Sequence, residues 1–403
     1  MVSNPKPLPY GKQTIDEEDI NAVVSVLRSD WLTTGPNIEL FEKAIINWTG
    51  AKFAVACSSG TAALHLAYMA AGLNHSNSLI VPTNTFMATA NAARHTGAEV
   101  LFADVECTSG LMLVEHASDA FELSVEAPPK AIVPVHFAGQ AADPEGFRRF
   151  ADENKLIVIE DGSHALGSSY DCNAETFRVG GCAHSDMTTF SFHPVKTITT
   201  GEGGCVTTND PKLAKKMRQL RNHGISSDPH DFQNTSLAIS DGHELNPWYH
   251  EMTSLGLNYR ASDIHCALGI TQLARLSEFI TRRSELVKHY QYLLNDLELP
   301  IRFIREVQDC QTAWHLAPVL IDFEAIGKTR AALMNYLKDN GITTQVHYIP
   351  VPYQPYYQKR RSQTDLPGTR SYYNQCLSLP LFPRMEMDDI NLVVRKLAAA
   401  ISG

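Results

Sequence analysis

The order of hydrophobic and polar residues along the chain predicts helices and strands in alternation. Residues 17–29 carry apolar side chains at 20, 23, 24 and 27, which is the spacing of an amphipathic helix. Thr14 and Glu17 have the Ser/Thr-x-x-Glu spacing of a capping box, so we expect this box to open the helix. Farther along, the runs AIVPV (131–135) and LIVIE (156–160) are apolar throughout. Such strands are buried on both faces, as in a parallel sheet covered by helices.

This alternation predicts a large α/β domain with a mostly parallel sheet, followed by a smaller α+β domain. A long helical pattern begins at Ser262 and leads into the C-terminal part. There, one predicted helix ends at Gly341 and the last begins near Asp388. The sequence therefore predicts an N-terminal arm (1–13), a large domain (14–261), a connecting helix (262–297) and a small domain (298–403).

Composition and charge narrow the classes of function. The 403 residues carry a formal net charge of -10, which argues against nucleic-acid binding but leaves a small anionic ligand possible. No apolar run is long enough for a membrane helix, and the first residues lack the apolar core of a signal peptide. We therefore expect a cytoplasmic protein with no membrane partner. The eight cysteines form no C-x-x-C pair and HEMTS at His250 lacks the second histidine of H-E-x-x-H, so we predict no metal site.

Two segments at predicted strand ends could bind charged groups of a ligand, one an anion and the other a cation. In CSSGTAAL, Gly60 and Thr61 precede an apolar helix, whose first N–H groups can bind a phosphate. Ordinary capping by Ser or Thr explains the same residues. In VIEDGSHALG, an apolar strand delivers Asp161 to its carboxyl end, where a buried carboxylate needs a cation or good hydrogen bonds. The alternative is a carboxylate that caps the next turn, and His164 is either a core residue or a donor to a ring substituent.

A lysine and a phenylalanine complete the candidate chemistry. The segment TTFSFHPVKTITTGEGG places Ser191 and Lys196 between an apolar strand and a glycine-rich turn. A partly desolvated lysine has a lowered pKa and can form a Schiff base, whereas most loop lysines lie on the surface. Phe86 of PTNTFMATANA could stack on a planar ligand or belong to the core. Taken together, the phosphate cradle, stacking ring, aspartate and lysine are the groups that pyridoxal 5′-phosphate requires.

Several longer segments carry a family resemblance, among them SSGTAALHLA, TFMATANA, VHFAGQ, VIEDGSHALG, DMTTFSFHPVKTITTGEGG, RNHG and LGLNYRASDIHCALG. On these segments the chain resembles, nearly end to end, the nucleotide-sugar aminotransferases of the DegT/DnrJ group, which have the aspartate-aminotransferase type of fold. The resemblance implies that Lys196 holds the cofactor and then shuttles a proton, that Asp161 pairs with the pyridine nitrogen, and that His164 contacts the phenolic oxygen. The other implied cofactor contacts are Gly60, Thr61 and Ser191 at the phosphate, Phe86 on the ring, and Asn258 from the second subunit of a homodimer.

Further segments resemble the branch of this family that acts in pseudaminic acid synthesis: PYGKQTIDEEDI, VLRSDWLTTGP, PWYHEM, VHYIPVPYQPYY and LSLPLFP. This resemblance implies transfer of an amino group from L-glutamate to C4 of a UDP-linked 4-keto-6-deoxy-N-acetylhexosamine. The implied sugar-nucleotide contacts are Trp31, Thr33, Thr34, His347 and Tyr348. Gly162 and His164 depart from the alanine and glutamine that are common in the family.

Three other functions are alternatives to this prediction. The first is an aminotransferase for another nucleotide-linked keto sugar, and the second is a non-catalytic cofactor-binding protein. The related sugar dehydratases have histidine in place of the Schiff-base lysine, so Lys196 favours transamination. A dinucleotide-dependent dehydrogenase is disfavoured because no strand is followed by a complete G-x-G-x-x-G motif.

Overall fold

The computed structural model describes residues 7–123, 127–240, 243–360 and 365–402. The strands are β1 (Phe53–Cys57), β2 (Ser78–Pro82), β3 (Glu99–Ala103), β4 (Pro129–Ile132), β5 (Ile157–Asp161), β6 (Ser169–Cys172), β7 (Glu175–Arg178), β8 (Met187–Ser191), β9 (Gly204–Thr208), β10 (Ile225–Ser226), β11 (Glu251–Met252), β12 (Ile301–Phe303), β13 (Cys310–Gln311), β14 (Ala317–Ile321) and β15 (Cys376–Leu379). The helices are α1 (Glu17–Leu27), α2 (Pro36–Thr49), α3 (Gly60–Ala70), α4 (Met87–Thr96), α5 (Val114–Glu122), α6 (Pro144–Asn154), α7 (Pro211–Arg221), α8 (Thr235–Ala238), α9 (Asp263–Ala274), α10 (Leu276–Asn295), α11 (Arg330–Asp339), α12 (Pro355–Gln358), α13 (Pro367–Gln375) and α14 (Met387–Ser402).

A seven-stranded sheet in the order β1-β9-β8-β5-β4-β2-β3 forms the centre of the large domain. Its strands are parallel except β9, which is antiparallel to both β1 and β8. The predicted α/β fold with a mostly parallel sheet is therefore confirmed. Because β9 runs the other way, its first residue, Gly204, pairs with the last residues of β1 and β8, Cys57 and Ser191. The carboxyl ends of β1, β5 and β8 thus lie near one another at one edge of the sheet.

Both faces of this sheet are covered, as the continuous apolar runs predict. On β2, Leu79 and Val81 belong to a core shared with α3, α4 and α7, whereas Ile80 belongs to a core shared with α5, α6 and α10. Alternate side chains of a strand point to opposite faces, so each strand contributes to two cores at once. The core that includes α10 continues into the C-terminal part, where β12, β14 and β15 form a three-stranded antiparallel sheet.

The first helix begins at Glu17, as predicted, but its predicted N-cap is wrong by two residues. Asp16, rather than Thr14, is the N-cap of α1: its side chain accepts the Asp19 N–H, and the Asp19 side chain accepts the Asp16 N–H. Aspartate caps a helix at least as well as threonine, so two candidate caps lay within three residues of each other. The buried Asp19 is also bound by the Arg275 guanidinium, which ties α1 to the end of α9.

The predicted long connecting helix is two helices, α9 and α10, which meet at Arg275. The apolar periodicity passes through this bend and therefore does not reveal it. In the C-terminal part, α11 is followed by Gly341 in the left-handed conformation and α14 begins at Met387, close to the predicted positions. The division of the chain into domains at residues 261 and 297 stays a prediction. In the part of the chain that the structure describes, no helix is long and apolar enough to cross a membrane.

Candidate active site

A cavity of about 540 Å³ opens at the carboxyl edge of the central sheet, and Lys196 lies on its wall. All the predicted cofactor residues except Asn258 line this cavity, together with two of the predicted substrate residues: Gly60, Thr61, Phe86, Asp161, His164, Ser191, Lys196, His347 and Tyr348. Parallel strands end at the same edge of a sheet, so residues that are far apart in sequence meet here. The structure therefore brings together the strand-end motifs that the sequence singles out.

Lys196 is partly buried and lines the cavity. Burial lowers the pKa of the Lys196 amine from 10.5 to about 8, while the nearby carboxylate of Asp161 acts in the opposite direction. Since a group is half ionised at its pKa, roughly a tenth of the amine is neutral at pH 7. The site therefore holds a lysine that can act as a nucleophile and as a base near neutral pH.

Asp161, the last residue of β5, is buried and held by two hydrogen bonds. Thr89 of α4 donates its hydroxyl to Asp161 Oδ2 at 2.7 Å, and the Ser163 N–H donates to Oδ1 at 3.1 Å. The Thr89 hydroxyl also contacts that of Thr85 at 2.8 Å. These hydrogen bonds fix the carboxylate at the wall of the cavity, where it can pair with a cationic group.

The start of α3 forms an anion cradle beside β8. Ser59 is the N-cap and accepts the Ala62 N–H, while Gly60 and Thr61 begin the first turn, where N–H groups have no partner within the helix. A Cβ at Gly60 would lie 2.6 Å from Cβ and 2.8 Å from Oγ of Ser191, so glycine is required for this close approach. The cradle thus combines a helix N-terminus with the Thr61 and Ser191 hydroxyls, a donor set that fits a phosphate group.

His164 and Tyr348 form a hydrogen-bonded pair across the cavity. The Ala138 N–H donates to His164 Nδ1 at 3.3 Å, which leaves the histidine proton on Nε2, and Nε2 lies 3.0 Å from the Tyr348 hydroxyl. Burial, with the charge of Lys196, holds the pKa of His164 well below its usual value. His164 is therefore a neutral donor, and its contact with a ring substituent of the cofactor stays a prediction.

Two other predicted residues lie beside this pair. Phe86 precedes α4 and is 55% exposed, and its ring centroid lies 6.2 Å from that of Tyr348. Its open face can stack on a planar ligand in the cavity. His347 is buried, its Nδ1 lies 2.8 Å from the Ser378 hydroxyl, and burial lowers its pKa to about 3.

The other predicted site residues lie outside the cavity of the single chain. Trp31, Thr33, Thr34 and Asn258 are all exposed, and none belongs to the described residues that line the cavity. Their roles in binding the sugar nucleotide or the cofactor stay predictions. Sequence reasoning missed Tyr10 and His315, which do line the cavity. Tyr10 lies within the PYGKQTIDEEDI segment and could have been chosen for that reason. His315 lies in AWHLAPVLI, a segment with the pattern of an ordinary core strand.

The shape and donors of the cavity fit pyridoxal 5′-phosphate. The glycine cradle at α3 suits its phosphate, the fixed carboxylate of Asp161 suits its ring nitrogen, and the amine of Lys196 suits its aldehyde carbon. Among the described residues, no group of three or more His, Cys, Asp or Glu side chains is placed to hold a metal ion.

Comparison with known proteins places this site in context. A family model described as the DegT/DnrJ/EryC1/StrS aminotransferase family matches residues 13–398. The spore coat polysaccharide biosynthesis protein SpsC of Bacillus subtilis is 38% identical over 402 residues, which cover 98% of this chain and 97% of SpsC. The structure of Helicobacter pylori PseC, an aminotransferase involved in the biosynthesis of pseudoaminic acid, is 28% identical with a TM-score of 0.86, and the match covers 98% of this chain and 100% of PseC. DesI, solved in the presence of its TDP-sugar product, is also 28% identical, with a TM-score of 0.84 and coverage of 98% and 93%.

Proposed function

Because the chain belongs to the DegT/DnrJ/EryC1/StrS aminotransferase family, we propose that it transfers an amino group from L-glutamate to C4 of a UDP-linked 4-keto-6-deoxy-N-acetylhexosamine. The product would be UDP-4-amino-4,6-dideoxy-N-acetyl-β-L-altrosamine. Family membership makes the chain a pyridoxal-phosphate-dependent sugar aminotransferase. The nucleotide, the sugar and the amino donor are the proposed part. The observation that carries the proposal is the cavity in which Lys196 and Asp161 face the His347–Tyr348 segment.

Lys196 is the proposed catalytic residue. When bound, the cofactor supplies an electron sink that stabilises negative charge at the carbon bearing the amine. The lysine amine holds the cofactor before the reaction. Once released, Lys196 takes a proton from the amino carbon of glutamate and later delivers one to C4 of the sugar. Its pKa of about 8 suits both transfers near neutral pH.

The surrounding residues hold and orient the reacting groups. Gly60, Thr61 and Ser191 would bind the phosphate, and Asp161 would bind the ring nitrogen through a carboxylate that Thr89 keeps in position. Phe86 would stack on the ring. His164 has its proton on Nε2, because its other nitrogen already accepts the Ala138 N–H, and the phenolic oxygen would replace the Tyr348 hydroxyl as the acceptor of this N–H.

The sugar side of the cavity is formed by the segment that resembles the pseudaminic acid branch. This segment lines the same cavity as Lys196, through Gln345, Val346, His347, Tyr348, Ile349 and Gln354. Tyr10 adds a phenol beside His347, with ring centroids 5.6 Å apart. These polar groups and rings are suited to the hydroxyls and apolar faces of a hexose.

We further propose a homodimer in which Asn258 of each chain reaches the cofactor phosphate of the other. Exposed large apolar side chains support an interface: Trp31, Leu32, Trp248, Met252 and Leu255. Exposed apolar surface of this kind is typical of interaction sites. Mixing inactive Lys196→Ala protein with Asn258→Ala protein should restore about a quarter of wild-type activity, since half of the dimers are mixed and each has one intact site. Full activity of Asn258→Ala alone, or no recovery on mixing, would contradict the shared site.

The test of the substrate is NMR analysis of products after incubation with L-glutamate and either UDP-linked or TDP-linked 4-keto-6-deoxyhexoses. We expect amination at C4 of the UDP-linked N-acetylated sugar, and none with Lys196→Ala. Preference for a TDP-linked sugar would instead favour a function like that of DesI, which has the same identity to this chain as PseC. Retention of the cofactor with no loss of its visible absorbance on addition of L-glutamate or other amino acids would favour a non-catalytic binding protein.

A further inference from the structure

His315 has an unusual side chain for a core residue. It precedes β14, is only 4% exposed, and its ring lines the cavity that holds Lys196. Its Nδ1 is buried and has no hydrogen-bond partner among the described residues. A buried polar atom without a partner destabilises a fold, so packing alone does not explain a histidine at this position.

The backbone on both sides of this ring is firmly anchored. The His315 N–H donates to the Ala138 carbonyl at 3.0 Å, and the His315 carbonyl accepts from Arg283 of α10 at 3.2 Å. Arg283 is fully buried and also donates to the Leu381 carbonyl at 3.1 Å. The position of the ring is therefore set by main-chain hydrogen bonds, while the ring itself makes none within the described part of the chain.

The ring of His315 packs against that of His164, and the two rings differ in their hydrogen bonds. Their centroids lie 4.4 Å apart at an angle of 48°. Burial and the positive charges of nearby Lys196 and Arg283 hold the pKa of His315 well below its usual value, so the ring is neutral. Since buried N–H groups without an acceptor are rare, the sealed Nδ1 is the unprotonated nitrogen and Nε2 carries the proton. His164 donates its Nε2–H hydrogen bond to the Tyr348 hydroxyl. The Nε2–H of His315 has no acceptor among the described residues and can therefore bind a ligand.

We propose that His315 donates an Nε2–H hydrogen bond to an anionic oxygen of a ligand in the cavity. This inference rests on the proposed function, which brings two such oxygens to the site: a carboxylate of the amino donor and the phenolic oxygen of the cofactor. Lys196 is the only lysine or arginine among the described residues that line the cavity. A neutral imidazole can therefore bind an anion without placing a second positive charge beside the reactive amine.

The test compares His315→Phe with His315→Gln and with a matched control, His184→Phe. Phenylalanine keeps an aromatic ring against His164 but removes the donor, and glutamine returns a neutral N–H. His184 is also packed among aromatic rings, with centroids 5.1 Å from Phe177 and 5.7 Å from Tyr170, but it lies outside the described lining of the cavity. Thermal melting of each variant verifies that it is folded.

Two binding measurements distinguish the two oxygens. If the ligand is the amino-donor carboxylate, His315→Phe raises the calorimetric dissociation constant of glutarate and the KM for L-glutamate by about 10- to 100-fold, with the KM for the keto sugar unchanged. If it is the phenolic oxygen, the dissociation constant of the cofactor rises and its visible absorption maximum shifts, while glutarate binding is unchanged. In either case His315→Gln recovers part of the loss.

The inference is wrong if a folded His315→Phe protein keeps wild-type values for both ligands, or if His184→Phe has the same effect. Glutarate and cofactor binding require no turnover, so they test His315 separately from the reaction. A wild-type protein that binds both ligands but never aminates a keto sugar would refute the proposed function, and the binding data alone would then decide the role of His315.

Discussion

Replacing Asp161 with asparagine should change the pH at which the Lys196 amine becomes reactive. Burial lowers the pKa of Lys196 from 10.5 to about 8, and the Asp161 carboxylate limits this decrease because it stabilises the ammonium form. Asparagine removes the negative charge but preserves the shape of the side chain and an oxygen that can accept the Thr89 hydroxyl. We therefore expect the pKa of Lys196 to fall below about 8 in the variant.

The size of the expected pKa change follows from the same two contributions, burial and the Asp161 charge. A change from 10.5 to about 8 makes the ammonium form on the order of 3 kcal/mol less favourable in the site than in water. An opposite charge close to an ionisable group shifts its pKa by roughly 1–3 units. Loss of the Asp161 charge should thus lower the pKa of Lys196 by about one unit or more, and the neutral fraction at pH 7 should rise from roughly a tenth to about a half.

The assay is trace labelling of the cofactor-free protein with acetic anhydride between about pH 6 and pH 11. Mass spectrometry of the peptide that contains Lys196 gives its labelling rate, with surface lysines in the same digest as the reference. Asp152→Asn is the matched control, because Asp152 is an exposed carboxylate paired with Arg148 and should leave the curve unchanged. Equal midpoints for wild type and Asp161→Asn, or a wild-type midpoint near 10.5, would refute the electrostatic argument.

Two further substitutions test the cradle and the buried amine. Gly60→Ala should raise the cofactor dissociation constant at least about tenfold, measured by equilibrium dialysis, because the new methyl group collides with Ser191. Gly11→Ala is its control, since a Cβ there meets only Val195, at 3.6 Å; equal affinities would refute the steric argument. Lys196→Met should stabilise the cofactor-free protein at pH 7 by on the order of 1–3 kcal/mol in urea unfolding. This gain in unfolding free energy should shrink between about pH 8 and 10.5, because the folded wild type has lost its Lys196 proton there while the unfolded chain still binds it. A gain that grows with pH would contradict the argument.

The part of the site that lies on the central sheet is predictable from the sequence. Gly60, Asp161 and Ser191 each follow or end an apolar strand, and strands of this kind form a parallel sheet. Their carboxyl ends must meet at one edge, so residues more than a hundred positions apart converge without any knowledge of side-chain packing.

The rest of the site depends on packing that periodicity does not encode. His315 comes from the C-terminal part, and its backbone is anchored beside the cavity by hydrogen bonds with Arg283 and Ala138. Similarly, Ile20 and Leu27 follow the helical apolar spacing of α1, yet they are 46% and 56% exposed in the single chain. A periodic pattern identifies the apolar face of a helix but not the surface that covers it.

The walls of the cavity come from both ends of the chain, and this has a consequence during synthesis on the ribosome. Tyr10 is held by the Leu381 N–H, which donates to its carbonyl, and by the pairing of Leu8 with Ile342. Lys196 leaves the ribosome before these C-terminal partners exist, because chains emerge from the N-terminus. The complete wall of the cavity around Lys196 therefore forms only after the C-terminal part of the chain has been translated.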